Sequence, residues 1–255
     1  MSQSQIPNRY GTNPVTPATP ATTVSPVAST SPSALGVKPD ARLAAAFLSQ
    51  AFLWMFAGLL VTAGVAYAVQ SNPRLLEFAA GNFFLLFIAQ LLIVVGISAG
   101  IKRISATAAL ALFFVYAASL GVTIGLIVSS YTTGSVVTAF VSASAMFGAA
   151  GIYGAVTKRS LVGMGGFLFM GLIGLMVAML LNLFFPNGTV TLAISIIGVV
   201  IFTALTAYDV QRIQAGDLAA QTGSMEKAAV MGALRLYLDF INIFLFLLRI
   251  FGGRS

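Results

Sequence analysis

The chain has 255 residues, of which 13 are basic and 6 acidic, and its mean hydropathy is +0.98. Charged residues make up 7% of the sequence, against about 25% in soluble domains, so they cannot cover the surface of a soluble globule. The composition therefore predicts a polytopic membrane protein. Histidine and cysteine are absent, which excludes Ser-His-Asp and Cys-His catalysis, His/Cys zinc sites, and haem held by either residue. We predict neither an enzyme nor a resident cofactor.

The first 40 residues differ in composition from the rest of the chain. They hold seven of the nine prolines and twelve serines or threonines, and they lack the apolar surface that folding requires. This pattern predicts a disordered tail over residues 1–41, followed by a membrane domain over residues 42–255. No apolar stretch follows a basic start near residue 1, so a signal peptide is not expected.

Seven long apolar runs follow the tail, separated by short breaks that carry turn and charge signals. Each run is close to the 20 residues that a helix needs to cross a bilayer. None shows the alternation of barrel strands, so the sequence predicts an all-α fold with seven transmembrane helices. The runs are 44–69, 83–101, 106–128, 136–156, 161–185, 190–211 and 232–251.

The basic residues indicate the orientation of the spans. With the N-terminus in the cytoplasm, nine of the basic residues near the spans fall inside and three outside, as the positive-inside rule requires. The pI near 10.1 therefore reflects topology. Because the basic residues are scattered, without interleaved aromatic residues on a polar face, a nucleic-acid partner is not expected.

Two of the six acids lie within predicted spans. Asp209 is in the last turns of the sixth run, and Asp239 is inside the seventh. An acid at the centre of a membrane helix costs roughly 2.5–3.5 kcal/mol, and such residues mark cavities or pathways. At 1.5 Å per residue, both acids are predicted within about 10 Å of the cytoplasmic surface, where neighbouring antiparallel helices can bring them together.

Two interpretations of these acids remain open at this point. Two close carboxyls resist double ionisation, so the pair would share a proton at lower pH and open or bind a cation at higher pH. Their oxygens also suit calcium, which makes Asp209 and Asp239 the candidate metal ligands. The alternative is local pairing, in which Asp209 binds Arg212 three residues later and Asp239 binds Arg235 four residues earlier.

The remaining polar residues of the spans are few. Gln90, Asn182 and Asn242 are expected to make hydrogen bonds between helices more often than to act as ligands. The Gly96/Gly100 and Gly121/Gly125 spacings fit close helix contacts. Four tyrosines are expected in the aromatic belts at the membrane interfaces, in preference to lining a pore: Tyr116, Tyr153, Tyr208 and Tyr237.

The stretches around the two acids resemble the Bax inhibitor-1 family. Residues 207–213 read AYDVQRI, residues 236–249 read LYLDFINIFLFLLR, and residues 163–171 read GMGGFLFMG. The resemblance extends over residues 42–253 and points to a bacterial-type member. It implies a seven-helix fold whose central seventh helix is wrapped by the other six.

The resemblance also implies a function. It makes Asp209 and Asp239 a di-aspartyl pH sensor in a protein that leaks calcium across a membrane. A basic residue at the end of the second span latches the closed state onto that pair, and Arg103 is the candidate here. Family members studied as calcium leaks carry a glutamate in the second span, where this chain has the neutral Gln90, so we expect an altered affinity for calcium.

Three functions are therefore considered. The first is a pH-sensitive cation leak channel, with calcium as the expected ion. The second, an intramembrane aspartyl protease, is disfavoured because the residues before Asp239 lack the Gly-x-Gly-Asp signature. The runner-up is a non-conducting stress-response protein that modulates a membrane protease or another partner. The expected location is a bacterial inner membrane.

Overall fold

The computed structural model describes residues 41–252, so the predicted tail lies outside the described residues. This part of the chain contains nine α-helices, one 3₁₀ turn and no β-strand. The helices are α1 (Ala41–Gln70), α2 (Pro73–Gly81), α3 (Phe83–Gly100), α4 (Ala106–Val128), α5 (Thr133–Val156), α6 (Gly165–Phe184), α7 (Gly188–Gln214), α8 (Asp217–Thr222) and α9 (Met225–Phe251), and the 3₁₀ turn Val162–Met164 precedes α6.

Seven of the helices described between residues 41 and 252 are long and apolar enough to cross a membrane, which confirms the predicted all-α fold. They are α1, α3, α4, α5, α6 with its preceding turn, α7 and α9, while α2 and α8 lie in the breaks. The chain is thus an integral multi-pass membrane protein in contact with the bilayer. The last helix begins at Met225, seven residues before the predicted run, because Glu226 and Lys227 lower the hydropathy of its first turn without interrupting the helix.

The polar breaks between the spans supply the helix N-caps. A side-chain oxygen at each of these positions accepts a hydrogen bond from a backbone N–H of the first turn, a group that has no partner within the helix. The short break sequences therefore fix where the helices begin. The capping residues are Asn72 for α2, Ser105 for α4, Thr132 for α5, Asn187 for α7 and Ser224 for α9.

The last span, α9, is the most buried of the seven. Protein covers 78% of its most apolar 18-residue window, against 11% of the corresponding windows in α3 and α6. Helices α1, α4, α5, α7 and α8 pack against α9, whereas α3 packs mainly on α4 and α6 on α7. This arrangement is compatible with a central seventh span and places α9 and α7 at the core of the molecule.

Of the two glycine spacings, one forms a close helix contact and the other does not. A Cβ at Gly125 would lie 2.7 Å from the Ala66 carbonyl oxygen of α1, and one at Gly121 would lie 2.8 Å from the Thr62 carbonyl oxygen. These glycines let α4 approach the backbone of α1 directly. A Cβ at Gly96 would meet no atom within 4 Å, because α3 lies at the edge of the described bundle.

The Gly125→Ala substitution is expected to destabilise the protein by roughly 1–3 kcal/mol, since the added methyl group would push α1 and α4 apart. Thermal unfolding in detergent measures the effect. The matched control is Gly96→Ala, which adds the same methyl group in open space and is expected to be neutral or slightly stabilising, because alanine favours helix by about 1 kcal/mol over glycine. Equal melting temperatures for the two variants would contradict the packing described here.

Candidate functional site

The two acids predicted to act together lie on the two helices at the core of the fold. Asp209 is in α7 and is 7% exposed, and Asp239 is in α9 and is 4% exposed. The two helices pack extensively against each other, and Arg235, one helical turn before Asp239 in α9, binds Asp209 of α7. The structure therefore brings both predicted carboxyls into one buried region between neighbouring spans.

The ion pairs of this region differ from the local pairs considered above. The Nη1 of Arg235 donates to Asp209 Oδ1 at 3.3 Å, so Arg235 of α9 reaches across to α7 instead of forming an ion pair with Asp239 on its own helix. Arg212 does not pair with Asp209 either, because its Nε donates to Asp217 Oδ2 at 3.2 Å. Helix spacing permits the local pairs, but the packing of α7 and α9 selects the pair between helices.

Asp239 is left with a buried oxygen that has no hydrogen-bond donor. Among the residues that the structure describes, its Oδ2 and Thr203 Oγ1 are the buried side-chain polar atoms without a partner. Leaving a buried acceptor unpaired costs about 1–3 kcal/mol, and more for a charged group. An unpaired carboxyl oxygen in a protein core calls for an explanation, and a proton or a bound cation would supply one.

Arg212 forms a second polar cluster at the C-terminal end of α7. Its Nη1 donates to the hydroxyl of Tyr208 at 3.1 Å, and its guanidinium lies 5.5 Å from the centre of that ring. The Tyr208 hydroxyl occupies the space where Gly165 has no side chain, since a Cβ there would lie 2.5 Å from it. Tyr208, Arg212 and Asp217 thus connect α7, the start of α6 and the start of α8.

The short helix α8 closes the connection between the two acid-bearing spans. It lies between Gly216 and Gly223, whose φ angles of 73° and 81° are in the left-handed region that favours glycine. Asp217 is 1% exposed and holds Arg212 at the start of this helix. The connection is therefore packed against α7 and α9, next to the end of α7 and the start of α9.

Gln211 fixes the loop between the fourth and fifth spans, a role that the sequence pattern does not indicate. Its Oε1 accepts from the backbone N–H of Leu161 at 2.7 Å, and its Nε2 donates to the carbonyl of Arg159 at 2.9 Å. The loop that carries Lys158 and Arg159 is thereby bound to the end of α7, two residues beyond Asp209.

Two tyrosines expected in the aromatic belts lie in the protein core instead. Tyr237 is 0% exposed and Tyr116 is 5% exposed. The Tyr237 hydroxyl is 2.6 Å from Thr62 Oγ1, which in turn donates to the carbonyl of Ala117 at 2.9 Å. Tyrosine suits the core here because Thr62 satisfies its hydroxyl, so a chain of hydrogen bonds joins α9, α1 and α4.

The other polar residues of the spans mostly make contacts between helices. Gln90 donates to the Ser119 carbonyl and to Thr123 Oγ1 at 2.9 and 2.7 Å, which links α3 to α4. Asn182 donates to Thr191 Oγ1 at 2.8 Å and links α6 to α7, as expected. Asn242 differs, because its Nδ2 donates to the Leu238 carbonyl of its own helix at 2.7 Å.

The predicted latch residue, Arg103, forms no ion pair with either acid in the described part of the chain. Arg103 is exposed beyond the end of α3, and neither ion pair found between residues 41 and 252 includes it. The end of α3 nevertheless lies against the start of α9, because the Nζ of Lys227 donates to the carbonyl of Lys102 at 3.3 Å. The latch role of Arg103 stays a prediction.

A metal ion at this site would have few protein ligands. The described part of the chain contains no group of three or more acids that could hold a metal ion. Asp209 and Asp239 can supply up to four carboxylate oxygens, whereas calcium takes six to eight oxygen ligands. Water or backbone carbonyls would have to complete its coordination, as suits an ion that passes through instead of remaining bound.

The chain is similar to a known family and to several bacterial proteins. The profile of a family described as "Inhibitor of apoptosis-promoting Bax1" matches residues 44–255, which include both acid-bearing helices. The inner membrane protein YbhL of Escherichia coli (strain K12) is 42% identical over 226 residues, or 86% of this chain and 95% of YbhL. An uncharacterized protein of Deinococcus radiodurans is 44% identical over 210 residues, or 82% of this chain and 91% of its own length. YrjE, an uncharacterized protein of Lactococcus lactis, is 39% identical over 212 residues, or 81% of this chain and 90% of its own.

The Gln211→Ala substitution is expected to release the loop at residues 157–161 and to cost about 1–3 kcal/mol, because it removes two hydrogen bonds and leaves backbone groups unpaired. Tryptic cleavage after Lys158 and Arg159 should become faster, and thermal unfolding should shift downward. The control is Gln214→Ala, because the Gln214 side chain makes no hydrogen bond with any described residue. Equal cleavage rates in the two variants would show that Gln211 does not hold the loop.

Proposed function

We propose that this chain, which belongs to the Bax inhibitor-1 family, is a pH-sensitive cation leak channel gated by Asp209 and Asp239. The observation that carries this proposal is the buried Oδ2 of Asp239, which has no hydrogen-bond partner among the described residues and lies on the helix that packs against the one carrying Asp209. Carboxyl groups inside a membrane protein are costly and mark ion pathways and proton relays.

Protons and cations compete for the same oxygens in this mechanism. A proton on the pair removes negative charge and satisfies an oxygen of Asp239, whereas the ionised pair attracts a cation. The affinity of the pair for cations therefore rises with pH. The conducted flux depends on pH through this competition, and the pair acts as the pH sensor.

Calcium is the proposed ion because carboxylate oxygens are hard ligands. The neutral Gln90 does not add a charged ligand, and both of its amide hydrogen bonds hold α3 against α4. The site therefore has less negative charge than one with a glutamate in that span. Calcium and sodium should be compared directly for this reason.

The membrane is proposed to be a bacterial inner membrane, with the N-terminus in the cytoplasm. The relative YbhL is named an inner membrane protein, and the distribution of basic residues favours this orientation. In this orientation, the cytoplasmic side carries Arg103, Lys158 and Lys227. No enzymatic activity is proposed, since the description of the matched family names an inhibitor.

A second candidate function is a non-conducting, stress-response protein that modulates a membrane protease or another partner. The description of the matched family favours it, because it names inhibition of another protein and not transport. A stoichiometric partner that co-purifies with the chain, together with no ion flux from the isolated protein, would support this function over the channel.

Proteoliposomes that contain the purified chain and an ion-sensitive dye test the channel. The Asp209→Asn/Asp239→Asn double variant is expected to reduce calcium flux roughly tenfold or more, which corresponds to a loss of about 1.4 kcal/mol in cation interaction. It is also expected to abolish the dependence of flux on pH, since neither amide titrates.

Glu226→Gln is the matched control, because it neutralises an exposed acid in the first turn of α9. Its flux and pH profile should equal those of the wild type. A double variant with wild-type flux and pH dependence would refute the proposed gating, and a wild-type protein without flux for either calcium or sodium would refute the channel.

Arg103→Gln is expected to raise the flux at the pH where the wild type conducts least, because it removes the basic group proposed to hold the closed state. Lys102→Gln is the control, since it neutralises the neighbouring exposed base. The same proteoliposome assay measures both, and an unchanged pH profile in Arg103→Gln would remove Arg103 from the gating mechanism.

A further inference from the structure

Arg235 is the positively charged side chain placed closest to the acid pair. It lies in α9 one helical turn from Asp239, yet its Nη1 donates to Asp209 of α7 at 3.3 Å. Its side chain is 30% exposed, whereas that of Asp209 is 10% exposed. The guanidinium thus covers a carboxylate oxygen of the buried site and extends from it toward the surface.

The other nearby base, Arg212, binds groups outside the acid pair. Arg212 binds Asp217 at 3.2 Å and the Tyr208 hydroxyl at 3.1 Å, and neither described ion pair joins it to Asp209 or Asp239. Arg235 therefore supplies the positive charge that directly contacts the pair in this structure. With both carboxyls ionised, the pair and Arg235 together carry a net charge of −1.

We infer that Arg235 is a tethered cation that competes with the conducted ion for the oxygens of Asp209. This inference rests on the proposed function, and it names the residue that sets the cation affinity of the site. A calcium ion that binds Asp209 Oδ1 must displace the guanidinium, and an ion on either carboxyl group must approach a fixed positive charge. The repulsion weakens the binding of a divalent ion more than that of a monovalent one, because it scales with the charge of the ion.

The position of Arg235 also explains why the two acids differ. Asp209 has a tethered cation on one oxygen, while the Oδ2 of Asp239 has no partner among the described residues. Of the four oxygens, Asp209 Oδ1 already binds a cation, whereas Asp239 Oδ2 is buried and open. An entering cation would bind Asp239 Oδ2 without displacing Arg235 and would gain Asp209 Oδ1 only when Arg235 leaves that oxygen.

Equilibrium binding of calcium to the purified, detergent-solubilised full chain tests the inference at mildly alkaline pH, where fewer protons compete with calcium for the carboxyl oxygens. Arg235→Gln should bind calcium at least tenfold more tightly than the wild type, because the amide keeps a hydrogen-bond donor and loses the charge. Arg249→Gln makes the same change at an exposed position of the same helix and should leave the affinity unchanged.

Arg235→Lys keeps the positive charge. It should therefore bind calcium with an affinity within about twofold of the wild type. The inference fails if Arg235→Gln binds no more tightly than the wild type, or if Arg235→Lys gains tenfold. The Arg235→Lys measurement tests the inference even if Arg235→Gln does not fold. Asp209→Asn/Arg235→Gln should lose the gain, and a retained gain would place the bound calcium elsewhere and overturn the inference.

Binding and flux separate this inference from the proposed function. Tighter binding in Arg235→Gln without calcium or sodium flux in any variant would support the tethered cation and refute the channel. Aspartate-dependent flux with no change of binding in Arg235→Gln would support the channel and refute the tethered cation.

Discussion

The ion pair between Asp209 and Arg235 joins the two helices on which the whole site depends. A charge buried between membrane helices is tolerated only where a partner compensates for it. The pair therefore fixes how α7 and α9 face each other, and a close contact at Gly198 supports the same arrangement, since a Cβ there would lie 2.5 Å from the ring of Phe246. Rotating either helix would separate the ion pair and close the space that the glycine provides.

The polar residues at the end of α7 contact four neighbouring segments of the chain. Tyr208 faces the start of α6, Asp209 faces α9, Gln211 holds the loop before α6, and Arg212 binds Asp217 at the start of α8. Residues 208–212 thus hold these four segments against the end of α7. Asp209 is joined to α9 through Arg235, whereas the contacts with the loop and with α8 are made by Gln211 and Arg212.

The sequence alone predicts the spans well, because membrane helices are determined by apolar length and by polar breaks. It also identifies Asp209 and Asp239, since acids are rare in such runs. It does not predict that Arg235 binds Asp209, because helical spacing favours a local pair and the choice depends on how α7 and α9 are rotated. For the same reason it misplaces Tyr237, whose burial depends on Thr62 of a distant helix.

The distribution of satisfied and unsatisfied polar atoms separates structural residues from the candidate site. In α3 and α6, the side chains of Gln90 and Asn182 bond to the adjacent helix, which satisfies their donors in a region without water. Asp239 follows the opposite pattern, since its Oδ2 is buried, carries charge when ionised and has no donor in the described chain. A purely structural acid at that place would be replaced at lower cost by an apolar side chain of similar size. An exchange of a proton for a cation would explain the unpaired Oδ2 of Asp239, because the oxygen has a binding partner in each of the two states.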